Sequence, residues 1–264
     1  MINRYYCKEN IMDYKLIALD MDGTLLNSKK EITEQNKEAI SKAMAQGVKI
    51  VLNSGRAYDG IAYAYKELGI SGADQYMINS GGNIIESLDK KIIYKKVMEN
   101  NTCENIARDL KSEKINYVLI DIEGNSYDSY QEWMEKRMLN TNLAIAKFMI
   151  HTHKRNLEET AEKLHQKYDA KFFVVVTSKR DIEIFPKEVN KGKALEKLAK
   201  HLKIKPEQVV AIGDLDNDIP MIKFAGLGVA MGNSPENVKI ISDEVTADDN
   251  HSGVGQAIEK YVLK

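Results

Sequence analysis

From Tyr14 onward, short apolar runs alternate with stretches whose apolar residues recur at helical spacing. This rhythm is the signature of a parallel sheet covered by helices. Leu16–Asp20 reads as a first strand. Thr33–Gln46 predicts a helix: Thr33 can cap it, Ala39, Ile40, Ala43 and Met44 share a face, and Gly47 ends it. Val48–Asn53 predicts a second strand, Asp59–Leu68 a second helix, and Tyr76–Asn79 a third strand.

Between Ile84 and Pro186 the rhythm changes. The runs Phe172–Thr177 and Asp181–Phe185 are joined only by Ser178-Lys179-Arg180, which suits an antiparallel hairpin rather than a crossover. Helical patterns at Cys103–Ser112 and Leu157–Tyr168 sit among these strands. The expectation is an α+β domain spanning 85–186, inserted into an α/β core made of 13–84 and 187–264. In the second core segment, Asn190 can cap a helix running through Leu202. Gln208–Gly213 and Leu227–Met231 read as strands flanking a short helix around Pro220, and an amphipathic helix near Val254–Val262 follows. Residues 1–12 are polar and aperiodic and read as an N-terminal extension with no assigned role.

The 264 residues are 43% hydrophobic and 29% charged, with a formal net charge of −1. Near-balanced charge argues against a general nucleic-acid or membrane-surface binder. Cys7 and Cys103 form neither a disulfide framework nor a metal-ligand spacing, and no apolar run approaches membrane-spanning length. A cytoplasmic protein is expected, as a monomer or small homo-oligomer.

The chemistry lies at the predicted strand ends, where open α/β sheets bind ligands. Asp20-Met21-Asp22-Gly23-Thr24 follows the apolar run Leu16-Ile17-Ala18-Leu19. Two carboxylates at the end of a buried strand are costly unless compensated, and a divalent cation is the usual compensation. A turn rich in Asp and Gly for backbone reasons is the plainer alternative. Asn53-Ser54-Gly55-Arg56 offers a hydroxyl and turn amides to a phosphate oxygen, or simply caps a helix. Asn190-Lys191-Gly192-Lys193 opens a helix, where amides and dipole favour an anion and a lysine adds a point charge. Asp214, Asp216, Asn217 and Asp218 follow the strand Val209-Val210-Ala211-Ile212-Gly213, and their carboxylates repel one another without a cation.

In order, these four clusters resemble the four motifs of the haloacid-dehalogenase-like (HAD) phosphatase superfamily. Val189-Asn190-Lys191-Gly192, Gly213-Asp214 through Asn217-Asp218-Ile219, and Val229-Ala230-Met231-Gly232-Asn233 look like the Cof-type sugar-phosphate phosphatases within it. The resemblance implies a Rossmann-like parallel-sheet core with an inserted α+β cap that sets specificity. It implies a Mg²⁺-dependent phosphoric monoester hydrolase acting on small phosphorylated metabolites, with sugar phosphates leading. Asp20 would be the nucleophile that forms an aspartyl-phosphate, and Asp22 the general acid and then base. Mg²⁺ would be held by the Asp20 side chain, the Asp22 backbone carbonyl and Asp214, with Asp218 supporting the shell. Ser54, Gly55, Lys191 and Asn217 would hold the phosphoryl group. Lys193 lies close to Lys191, and only the match to Asn-Lys-Gly favours the first. Where relatives show Asn-Gly-Ala near the hinge, the matching stretch is Gly81-Gly82-Asn83.

The chemistry is consistent on its own terms. A phosphate dianion repels a carboxylate nucleophile, so a cation and Lys191 must neutralise both before in-line transfer. In the inserted domain, Tyr127, Tyr130, Trp133, Lys136 and Arg137 could face the leaving group or pack the domain's own interior, and the second reading is preferred. Two alternatives stand beside the phosphatase. One is a phosphomutase using the same residues; the other is a non-catalytic phosphometabolite-binding protein.

Overall fold

The computed structural model describes residues 13–263. The expected extension over residues 1–12 therefore lies outside the described residues. In chain order the elements are β1 (Leu16–Leu19), α1 (Glu34–Ala45), β2 (Lys49–Asn53), α2 (Asp59–Glu67), β3 (Tyr76–Asn79), β4 (Ile84–Ser87) and β5 (Ile92–Lys95). Next come α3 (Asn100–Ser112), β6 (Val118–Asp121), β7 (Ser126–Tyr127), α4 (Tyr130–Leu139), β8 (Ile145–His151), α5 (Leu157–Tyr168), β9 (Phe172–Val176) and β10 (Asp181–Pro186). The chain continues through α6 (Lys191–His201), β11 (Val209–Gly213), α7 (Ile219–Phe224), β12 (Leu227–Ala230), α8 (Glu236–Ile241), β13 (Glu244–Val245) and α9 (Gly253–Tyr261).

The core is an eight-stranded sheet ordered β13-β12-β11-β1-β2-β3-β4-β5. It is parallel from β13 to β3, with β4 and β5 added antiparallel at one edge. β1 sits between β11 and β2, and both of its faces are covered. Ile17 and Leu19 pack with the apolar sides of α1, α2 and α9, while Leu16 and Ala18 pack with α6 and α7. A continuously apolar strand is what burial on both faces demands. Helix α1 begins where expected, with Thr33 Oγ1 accepting from Asn36 N at 3.3 Å.

β10 closes the inserted unit, a second, five-stranded sheet ordered β7-β6-β8-β10-β9. The Phe172/Asp181 hairpin is antiparallel, as its short connection requires. Helices α3, α4 and α5 cover one face with Cys103, Ile106, Leu110, Trp133, Leu164 and Tyr168 over Phe148, Ile150, Ile182 and Ile184. Tyr127 and Trp133 are buried in this interior, so the aromatic stretch packs the insert itself.

One expectation is corrected. Residues 85–95, expected in the insert, belong to the core: β4 and β5 hydrogen-bond to the core sheet through β3. The crossing into the insert falls after Lys95 and before Asn100. The antiparallel turn between β4 and β5 breaks the βαβ rhythm within the core itself, so the change of rhythm precedes the true domain boundary. The stretch Gly81-Gly82-Asn83 lies between β3 and β4. A Cβ on Gly82 would stand 2.6 Å from the Asn190 carbonyl oxygen, so only glycine fits there. Asn83 Nδ2 donates to the carbonyls of Lys96 at 2.6 Å and Ala146 at 3.1 Å, tying the outgoing chain to β8.

Candidate functional site

Asp20, one residue past β1, is buried beneath the loop that follows β11 and the first turn of α6. Asn190 caps that helix, its Oδ1 accepting from Lys193 N at 2.8 Å. The cap turns Lys191 inward, where it is 2% exposed. Lys193 instead reaches outward to the Lys187 carbonyl at 3.2 Å, which separates the two lysines. Lys191 Nζ donates to Asp20 Oδ1, and to Asp218 Oδ1 at 2.6 Å. The second Asp218 oxygen accepts from the backbone N–H of Asp214 at 2.9 Å and of Leu215 at 3.1 Å. Asp214 Oδ1 accepts from the Thr24 hydroxyl at 3.1 Å. Gly23, at φ +82°, lets the first loop approach this carboxylate: a Cβ there would fall 2.5 Å from Asp214 Oδ2.

The charge in this cluster does not balance. Three buried carboxylates share the single ammonium of Lys191. Burial pushes the Asp20 carboxyl up to about 6, with Lys191 opposing the shift and Asp218 adding to it. Burial, reinforced by Asp20 and Asp218, pushes Asp214 to about 9. Burial alone would lower Lys191, but Asp20 and Asp218 outweigh it and hold the ammonium above its ordinary range. Oxygen atoms of Asp20, Asp214 and Asp218 lie within 4.8 Å of one another. Such a set of hard oxygen donors with surplus negative charge fits a divalent cation. Asp218 is held through both oxygens at 3.1 Å or less and does not line the adjoining cavity, whereas Asp214 Oδ2 accepts only a long bond from Asn233 Nδ2 at 3.4 Å, so Asp20 and Asp214 are the carboxylates more open to it.

Asp22 has different surroundings. Its half-exposed carboxylate is gripped bidentately by Arg56, with Nε to Oδ2 and Nη2 to Oδ1 both 2.7 Å. Lys30 Nζ adds a contact to Oδ1 at 2.6 Å. Partial burial would raise this group, but the hydrogen bonds from Arg56 and Lys30 outweigh it and hold Asp22 below the ordinary carboxylate range. Beside it, Ser54 Oγ accepts from Arg56 N at 3.3 Å, which leaves the hydroxyl proton to donate. Asn217 Oδ1 is buried and has no partner among the described residues.

A cavity of about 260 Å³ joins these groups. The core lines it with Asp20, Asp22, Ser54, Gly55, Arg56, Asp214, Leu215 and Asn217, and the insert adds Lys147, Thr177 and Glu183. Lys191 and Asp218 lie behind Asp20 and do not line it. Three roomier hollows, of about 510 Å³ beside α2 and about 560 and 410 Å³ on the insert, hold none of these carboxylates. Lys30, Lys147, Thr177 and Glu183 were not singled out in the sequence. The two insert charges look there like the polar positions of strands with one wet face.

The family model of haloacid dehalogenase-like hydrolases matches residues 17–258. The chain belongs to the haloacid dehalogenase-like hydrolases. It is 30% identical over 253 residues to the 5-amino-6-(5-phospho-D-ribitylamino)uracil phosphatase YcsE of Bacillus subtilis, covering 96% of this chain and 97% of that one. It is also 30% identical over 260 residues to the phosphoglycolate phosphatase of Methanobrevibacter smithii, covering 96% and 100%. A solved haloacid dehalogenase-like hydrolase from B. subtilis superposes with a TM-score of 0.82 at 26% identity, covering 94% of this chain and 100% of that one. This haloacid dehalogenase-like chain is thus an enzyme, a phosphatase of the phosphoric monoester hydrolase class. Among its described residues, no helix is long and apolar enough to cross a membrane.

Proposed function

We infer that this phosphatase depends on Mg²⁺ and hydrolyses phosphate monoesters of small metabolites, sugar phosphates foremost, through an aspartyl-phosphate on Asp20. The observation that carries this reading is a buried carboxylate at the floor of a small cavity, paired to Lys191 and faced by Asp214. The named relatives at 30% identity both act on small phosphorylated metabolites, which supports the substrate class.

In the first step an Asp20 oxygen attacks phosphorus, the bond from phosphorus to the ester oxygen breaks, and Asp22 gives its proton to the departing alcohol. In the second, Asp22 takes a proton from the attacking water, phosphate departs and the Asp20 carboxylate is restored. Arg56 and Lys30 hold Asp22 ionised, the form suited to the second step. Donating in the first step requires those contacts to loosen as substrate enters. The Ser54 hydroxyl, the Gly55 amide and Asn217, which line the cavity, hold the phosphoryl oxygens, and Lys191 adds its positive charge from behind Asp20. Mg²⁺, bound by the Asp20 side chain, the Asp22 backbone carbonyl and Asp214 with Asp218 in support, would neutralise charge on the phosphoryl group.

Phosphate release with and without Mg²⁺ tests the reading, across sugar phosphates, nucleotides, pyridoxal phosphate and flavin mononucleotide, with Asp20→Asn as control. Mg²⁺-dependent release abolished by the variant is expected. Release that is indifferent to Asp20 would overturn it.

A further inference from the structure

The cavity wall opposite Asp20 belongs to the insert, and it carries charge. β8 and β10 are antiparallel neighbours, with Ile184 beside Phe148 and Glu183 beside Met149. Alternate residues of each strand enter the insert's apolar interior: Phe148 and Ile150, Ile182 and Ile184. Lys147 and Glu183 therefore fall on the opposite face, toward the core. Each is only 6% exposed, and they pair at 2.6 Å. Lys147 Nζ also donates to the Gly55 carbonyl at 3.3 Å, so two of its three protons are in use. Among the described residues, the Glu183 side chain accepts from Lys147 alone, through one oxygen. Thr177 lines the same cavity and brings a hydroxyl to that wall.

A buried ion pair is a weak source of stability, because apolar side chains of similar volume serve as well. Placed on a cavity wall, this pair leaves one Lys147 proton, with the Phe185 ring centroid 5.4 Å from Nζ, and one Glu183 oxygen without a hydrogen-bond partner among the described residues. Neighbouring hydroxyls match that arrangement, since each can accept from an ammonium and donate to a carboxylate. A second anionic group on the leaving alcohol would meet the Glu183 carboxylate. An apolar or aromatic group would strip water from Lys147, Glu183 and Thr177 and return no hydrogen bonds. The cavity, at about 260 Å³, is smaller than the sites of drug-sized ligands, which start at about 300 Å³.

We propose that Lys147, Glu183 and Thr177 form the leaving-group subsite and select neutral, polyhydroxylated alcohols over carboxylated or aromatic ones. This rests on the phosphatase reading and adds the residues that choose the alcohol and the groups they exclude.

Steady-state kinetics of the full chain with Mg²⁺ tests it on hexose, pentose and alditol monophosphates, phosphoglycolate and p-nitrophenyl phosphate. The best polyol phosphate should exceed phosphoglycolate in kcat/KM. In Glu183→Gln, the ratio of kcat/KM for that polyol phosphate to that for p-nitrophenyl phosphate should fall about tenfold, chiefly through KM. Discrimination against phosphoglycolate should narrow in the same variant. Thr177→Val leaves the buried charges intact, so it tests the subsite even where Glu183→Gln fails to fold, and it should shift the ratio in the same direction. A ratio within about twofold of wild type in every folded variant, or a wild-type preference for phosphoglycolate, would overturn the subsite. Asp20-dependent release without polyol preference would sink this inference and leave the phosphatase reading standing. No Asp20-dependent release from any compound would sink both.

Discussion

Two groups of buried charge face one cavity, one from each sheet, and they are balanced differently. In the core, Asp20, Asp214 and Asp218 surround one ammonium, and the surplus negative charge displaces Asp20 and Asp214 upward in pKa. In the insert, Lys147 and Glu183 neutralise each other. A cluster with surplus charge calls for a cation or for protons, so its state changes with metal and pH. A neutral pair calls for neither and is free to read hydrogen-bonding groups. The contrast assigns the charge chemistry to the core and the choice of alcohol to the insert.

The largest effect that could break this division is at Asp20. Asp20→Asn keeps the shape, removes the nucleophile and cuts the surplus charge, so phosphate release should drop by at least about a thousandfold with every substrate. A loss confined to some substrates would mean that the core also chooses the alcohol. Next is the insert's interior. Trp133 is wholly buried, and Trp133→Ala should cost about 3–5 kcal/mol in chemical denaturation. Its Nε1 has no hydrogen-bond partner among the described residues, so Trp133→Phe should cost far less. If the division holds, Mg²⁺ should raise the melting temperature of Trp133→Phe by as much as that of wild type.

A smaller effect concerns metal and pH together. Asp20 and Asp214 carry pKa values of about 6 and about 9 against an ordinary 3.8, so the folded protein binds more protons than the unfolded chain between these limits. Stability of the metal-free protein is therefore greatest at low pH on this account and is lost as pH rises through 6 and toward 9. The melting temperature in EDTA should fall on the order of 5 °C between pH 5 and 8, and Mg²⁺ should flatten the slope. Asp214→Asn should flatten it without metal. A slope unchanged by either would mean that the acidic cluster carries no surplus charge.

Most of the core was legible because physics leaves its trace in local sequence. Leu16-Ile17-Ala18-Leu19 is apolar throughout since both faces of β1 are covered, and Thr33 and Asn190 announce helix starts through their own side chains. The positions chosen at the strand ends, Asp20, Asp22, Ser54, Gly55, Asp214 and Asn217, converge on one cavity, and Lys191 and Asp218 support it from behind. β4 and β5 were misplaced because their apolar runs fit either sheet and only pairing decides between them. Lys147 and Glu183 were invisible for a different reason. Alternation along a strand gives two faces, but it does not reveal that a second domain lies against the polar one.

The mildest expected effect lies at the seam, where Arg56 grips Asp22. Asp22 faces the same cavity but is half exposed, and two cations hold it ionised. Arg56→Lys keeps the charge and loses the planar two-point grip, so the Asp22 pKa should rise. If proton removal from water by Asp22 limits turnover, the acidic limb of the pH–rate profile should move toward higher pH by about half a unit to one unit. Lys30→Ala should move it less, since that lysine is 62% exposed and solvent screens its contact. Neither change should alter the ranking of alcohols, because neither touches the insert's pair. A shift in ranking with a fixed pH profile would make Arg56 part of the alcohol subsite and move the line between the two charge groups into the core.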